Sequence, residues 1–79
     1  MKNTVQLANR KYYLRFDQAY SAAALREWIE DGKNSPVLFR KPKNGSDRSV
    51  VMEIQDRNGD DLLLINRIAK ITQADVFVR

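Results

Sequence analysis

The most informative pattern of hydrophobic and polar positions runs from residue 50 to residue 71. An apolar strand ends at the polar turn 56–60, and a second apolar run, residues 62–65, follows it directly. Asn58-Gly59 between two such runs is the strongest short-range signal for a β-hairpin, because both residues tolerate the positive φ of a tight turn. The pattern predicts a hairpin whose register follows from either a two-residue turn or a three-residue loop with Gly59 in a bulge.

The apolar segments after this turn leave two interpretations open. Four consecutive apolar residues at 62–65 would place two side chains on each face of a strand, which indicates a strand covered on both faces. Residues 66–72 fit one helical turn and also fit a bent strand, whereas residues 76–78 predict a final short strand. The second half of the chain is therefore expected to consist mostly of strands.

A helix is predicted from about Tyr20 to Asp31, where the apolar positions change to helical spacing. Leu25, Trp28 and Ile29 form an apolar stripe in this segment. Gly32 supplies the left-handed residue that commonly ends a helix. Because a helix of this length is marginal alone, the stripe is expected to pack on a sheet as core.

Residues 4–17 predict a second hairpin, divided at Asn9-Arg10, which pairs Val5 with Leu14 and Leu7 with Tyr12. Residues 37–40 predict a short strand between the helix and the main hairpin. The predicted order is ββαβββ with a possible extra strand. We expect a single α+β domain, 1–79, in which one helix packs on a bent antiparallel sheet or a small barrel.

Composition narrows the chemistry that this domain can perform. The 79 residues include neither cysteine nor histidine, which removes the commonest general base and the commonest transition-metal ligands. The segment that begins at Asp56 has its glycine at the fourth position rather than the sixth that an EF-hand calcium loop requires. We therefore expect a protein that is not an enzyme and that uses no metal or cofactor.

Size and hydropathy bear on location and assembly. The chain has no apolar leader segment and no run long enough to span a bilayer, so we expect a cytoplasmic protein without a membrane partner. A domain of this length buries only about 60% of the surface of its unfolded chain, which favours association into a homodimer.

The chain is basic, with 14 Lys and Arg residues against 10 Asp and Glu residues. The positions of the cations along the chain suggest an anionic ligand. Strand alternation puts Lys11, Tyr13 and Arg15 side by side, so that the ring could stack on a base while the cations bind phosphates. The loop 40–48 concentrates four cations against one acid. The leading hypothesis is a nucleic-acid-binding module, DNA-binding or RNA-binding, whose phosphate contacts come from Arg40, Lys41, Lys43 and Arg48. The competing interpretation is that both sets of charges only keep the protein soluble.

The rival functional hypothesis is a module for protein–protein interaction, such as an inhibitor, an adaptor or an accessory subunit. It would use an exposed strand edge together with an apolar patch formed by Phe77 and by whichever of Leu62 and Leu64 leaves the core.

Overall fold

The computed structural model describes residues 10–32, 37–41, 48–56 and 59–78. Within these ranges the chain forms four strands and two helices, with a short 3-10 turn, Gln18–Tyr20, before the first helix. The elements, in chain order, are β1 (Arg10–Asp17), α1 (Ser21–Glu30), β2 (Leu38–Arg40), β3 (Ser49–Asp56), α2 (Leu62–Thr72) and β4 (Asp75–Val78).

The strands form one antiparallel sheet in the order β2-β3-β1-β4. This connectivity interleaves two β-α-β units, β1-α1-β2 and β3-α2-β4, in the split β-α-β arrangement. Alternate residues of the central strands, including Leu14 and Met52, are buried against α1 and α2. Both helices therefore cover the same face of the sheet.

Helix α1 lies where the sequence predicts it, between Tyr20 and Asp31. It ends before Gly32, whose φ of 79° is the left-handed conformation that glycine adopts without strain. Trp28 is buried as expected, but Leu25 is exposed and Ile29 is 60% exposed. The prediction that these two belong to the core is wrong, because the helix docks through Ala24 and Trp28 instead.

The predicted hairpin around Asn58-Gly59 is also wrong, since residues 62–65 form the first turn of α2. The Oδ1 atom of Asp56, at the end of β3, accepts hydrogen bonds from the backbone N–H groups of Gly59 (2.8 Å) and Asp61 (3.4 Å). These bonds hold the turn that leads into the helix. Residues 66–72, for which the sequence pattern fits both a helical turn and a bent strand, continue α2.

The helical assignment explains the four consecutive apolar residues. Leu64, Ile65, Ile68 and Thr72 are buried, at the spacing of one face of a helix. A short apolar run of this length cannot be assigned to a strand or a helix from its periodicity alone. The buried positions beyond the run, Ile68 and Thr72, continue one face of a helix and so distinguish the helix from a strand.

The predicted pairing of Tyr12 with Leu7, and of Leu14 with Val5, is wrong for β1. Tyr12 lies between Ile54 and Val78 in register, and Leu14 lies between Met52 and Val76, so both sides of β1 are occupied at these positions. The predicted first strand itself lies outside the described residues. The α+β class and the antiparallel sheet are confirmed, and the predicted element order is roughly consistent with the observed one. Of the two alternatives the sheet is open and not closed into a barrel, and it carries two helices where one was predicted.

The two helices are joined by an ion-pair network as well as by packing. The guanidinium of Arg67 on α2 contacts Glu27 on α1 (3.0 Å) and Asp31 at the end of α1 (2.8 Å).

Among the described residues no helix has both the length and the apolar character needed to cross a membrane.

Candidate nucleic-acid interface

The face of the sheet opposite the helices carries most of the residues that the sequence predicts to bind nucleic acid. We call it the open face. Residues directly opposite each other in an antiparallel sheet share a face, so the register defines its members. These are Lys11, Tyr13, Arg15, Leu38, Arg40, Val51, Glu53, Gln55, Asp75 and Phe77.

Two aromatic rings lie side by side on the open face, one on the inner strand β1 and one on the edge strand β4. Tyr13 on β1 is the direct register partner of Phe77 on β4, which places their Cβ atoms about 4.5–5.5 Å apart. Phe77 is 51% exposed and Tyr13 is half-buried. On β2, at the far side of the same row, Leu38 is also exposed. Glu53 lies between Leu38 and Tyr13 in this row, so the flat apolar surface offered to a ligand is that of the two rings.

Three cations surround this row. Lys11 and Arg15 lie about 7 Å from Tyr13 along β1, one on each side, because alternate residues of a strand repeat at that spacing. Arg40 reaches the same face from β2, where it is the register partner of Val51. The nucleic-acid hypothesis needs the cations of β1 and of the loop on one surface, and the fold brings Arg40 to the side of β1 that carries Lys11 and Arg15.

Two carboxylates partly balance these charges. Glu53 on β3 lies between two of the cations: its Oε2 is 3.8 Å from the Nζ of Lys11, and its Oε1 accepts a hydrogen bond from Arg40. Asp75 is the register partner of Arg15. Three cations against two carboxylates leave a small positive excess on the open face.

Of the remaining cations of the predicted loop, two lie at one end of the sheet and one lies outside the described residues. Lys41 follows β2 directly, Arg48 precedes β3, and both are exposed. Because β2 and β3 are antiparallel neighbours, these two residues lie at the same end of the sheet. Lys43 lies outside the described residues.

The three residues predicted for a protein interface do not form one patch. Leu64 is 4% exposed and belongs to the core, so Leu62 is the one of these two leucines that leaves it. Leu62 is exposed at the start of α2, on the helix side of the sheet, whereas Phe77 lies on the open face. The reason is that residues 62–65 are helical.

A half-open cavity of about 220 Å³ lies elsewhere, lined by Arg10, Tyr12, Asp56, Gly59 and Leu62. Tyr12 faces the helix side of β1, so the cavity does not open onto the open face. In the described part of the chain, no three Asp or Glu side chains are grouped as a metal site would require.

Sequence reasoning placed Lys11, Tyr13 and Arg15 together but missed Glu53 as their neighbour and assigned Phe77 to a different surface. Alternation along residues 50–56 already separates Glu53 from Met52 and Ile54. It does not show that β3 and β4 flank β1, which is the fact that joins these residues.

In comparisons with known proteins, no family model, no curated protein and no solved structure matches the chain.

Proposed function

We propose that this protein is a non-enzymatic module that binds single-stranded nucleic acid on the open face of its sheet. The observation that carries the proposal is the direct pairing of Tyr13 with Phe77 on the face opposite α1 and α2, among Lys11, Arg15 and Arg40.

The aromatic row supplies the first element of binding. Bases of a single strand stack on exposed aromatic rings, and each stack contributes about 1–3 kcal/mol with little dependence on sequence. Phe77 presents about half of its surface, and Tyr13 extends the row towards the centre of the sheet. Two neighbouring rings are suited to two successive bases.

The cations supply the second element. Lys11, Arg15 and Arg40 border the aromatic row, where the phosphates that flank a stacked base would lie. Each phosphate neutralised on a single strand contributes about −0.7 to the slope of log K against log salt. Three contacts predict a slope of about −2, which corresponds to a loss of affinity of about twentyfold between 50 and 200 mM salt.

Binding through a recognition helix is less well supported by the described residues. Helix α1 contains Arg26 as its one cation and two carboxylates, Glu27 and Glu30. Helix α2 contains Arg67 and Lys70, but Arg67 is paired with Glu27 and Asp31 of the α1 region, so Lys70 is the one cation of α2 outside that network. Readout of a duplex groove by a helix relies on side chains that donate to bases and phosphates. The proposed binding is therefore tolerant of sequence.

Fluorescence anisotropy with a labelled single-stranded oligonucleotide, at two salt concentrations, tests the proposal. Phe77→Leu keeps apolar bulk but removes the ring, and we expect it to weaken binding by at least about fivefold, the lower limit for one lost stack. Phe77→Tyr keeps the ring and should bind as the wild type does. Circular dichroism establishes that each variant is folded.

A second pair of variants tests the charges. Arg40→Gln should reduce the magnitude of the salt slope by about 0.7. Arg26→Gln removes the same charge from an exposed position on α1 and should leave the slope unchanged. Equal effects of the two variants, or no binding by the folded wild type at low salt, would overturn the proposal.

A further inference from the structure

We propose that β4 pairs with β4 of a second copy of this chain, so that two sheets join edge to edge across a two-fold axis. This dimer does not depend on nucleic-acid binding. It concerns the outer edge of the sheet, beyond the face described above.

The two edge strands differ in a way that bears on assembly. Arg40 ends β2 and Lys41 follows it, and charges of this kind discourage pairing at an edge. Strand β4 contains Val76, Phe77 and Val78 in succession without a charge, and all three are exposed. Within the described residues β4 pairs with β1 alone, so its other edge presents backbone N–H and C=O groups.

The residues of β4 are complementary to themselves in one symmetric register. A two-fold axis perpendicular to the sheet and centred on Phe77 places Phe77 opposite Phe77 of the second copy. The same axis places Val76 opposite Val78 of the second copy on the helix side. Every direct pair among these positions joins two apolar side chains, of the kind that stabilises a sheet.

The charge at the start of β4 does not oppose this register. The two Asp75 residues of the dimer would lie at opposite ends of the paired strands, about 13 Å apart along them. That separation exceeds the screening length of about 8 Å at physiological ionic strength. A second copy therefore fits this edge in both hydropathy and charge.

The same axis brings the two open faces to one side of the joined sheet. The aromatic row then continues from Tyr13 and Phe77 of one copy to Phe77 and Tyr13 of the other. If the proposed function holds, this extension doubles the length of the candidate nucleic-acid surface; the choice of a second copy as the partner rests on the self-complementary register and not on that function.

Sedimentation analysis of the full chain over a range of concentrations, without nucleic acid, tests the dimer. We expect a species of twice the monomer mass. Val78→Lys should raise the dimer dissociation constant at least about tenfold, because it sets an ammonium group against apolar side chains of the second copy. Leu38→Lys, an equivalent change on exposed β2, should leave the constant unchanged.

Cross-linking tests the register and does not depend on the lysine variants. The chain has no cysteine, so Phe77→Cys creates a single thiol. Direct partners in an antiparallel pair have Cα atoms about 4.5–5.5 Å apart, within the range of about 4.4–6.8 Å for disulfides. We expect rapid disulfide formation between copies, and slow formation in the control Leu38→Cys.

Three results would overturn the dimer. They are a monomer at every concentration, equal dimer dissociation constants for the two lysine variants, or equal rates of disulfide formation in the two cysteine variants. None of them bears on oligonucleotide binding by the open face of a single copy. Failure of the dimer and failure of the proposed function are thus measured separately.

Discussion

Replacing Glu53 with glutamine should strengthen nucleic-acid binding and weaken the fold at the same time. Glu53 is the carboxylate that Lys11 and Arg40 share on the open face. Glutamine keeps nearly the same size and hydrogen-bonding capacity but removes the negative charge. The two cations then act on a ligand without a neighbouring acid.

The gain in binding follows from Coulomb's law. Phosphates bound by the cations would lie about 7 Å from Glu53, the separation of diagonal neighbours on adjacent strands. Repulsion across that distance is about 0.6 kcal/mol in water, and screening at 0.1 M salt reduces it to about half. Three phosphates give about 1 kcal/mol, which corresponds to an affinity increase of about fivefold.

The loss of stability should be small, because the side chains of Lys11 and Arg40 are 50% and 60% exposed. Exposed ion pairs contribute about 0–1 kcal/mol each. We expect Glu53→Gln to lower the free energy of unfolding by about 1 kcal/mol, which lowers Tm by about 4–8 °C in a domain of this size.

Anisotropy titrations at low and high salt, together with urea denaturation, measure the two effects. Glu30→Gln is the matched control, because Glu30 is exposed on α1 and the variant has the same net charge. Affinity that does not rise in Glu53→Gln, or that rises equally in Glu30→Gln, would refute the local electrostatic argument and leave a general effect of net charge.

Two further predictions concern the fold. Leu64→Ala and Ile65→Ala should each lower the free energy of unfolding by about 2–5 kcal/mol, because both side chains are buried, whereas Leu63→Ala, 83% exposed, should change it little. A strand covered on one face would bury alternate residues and not the adjacent pair 64 and 65, so either of these two variants proving as stable as Leu63→Ala in urea denaturation would contradict the helix. Asp56→Ala should lower the free energy of unfolding by about 1–3 kcal/mol, because the N–H groups of Gly59 and Asp61 lose their acceptor. Asp56→Asn keeps an acceptor oxygen and should lower it less. An Asp56→Ala variant as stable as the wild type in thermal denaturation would show that the turn does not depend on this carboxylate.

Local pattern was sufficient for several elements of this protein. Helical spacing between Tyr20 and Asp31 predicted α1, and the apolar strand before the turn 56–60 predicted β3. The segment 37–40 between two prolines predicted β2, and the short apolar segment 76–78 predicted β4. Gly32 marked the end of α1 through its backbone freedom. In each case the period of the side chains and the special conformation of one residue are local properties, so they can be recognised without knowledge of the partners.

Local pattern was also sufficient to place Lys11, Tyr13 and Arg15 on one face of a strand, since alternation alone sets their direction. Which further residues join them depends on strands distant in the chain. Phe77 and Arg40 reach the open face only because β1 lies between β3 and β4 and because β2 pairs with β3.

The tertiary structure alone decided between strand and helix for residues 62–65. Their apolar run satisfies either geometry, and Asn58-Gly59 before it favours a hairpin locally. The outcome depended on packing: as a helix, the segment buries Leu64, Ile65 and Ile68 on the sheet and lets β4 return beside β1. Burial of a whole apolar face outweighs the preference of a two-residue turn, and it is a property of the folded sheet rather than of the segment.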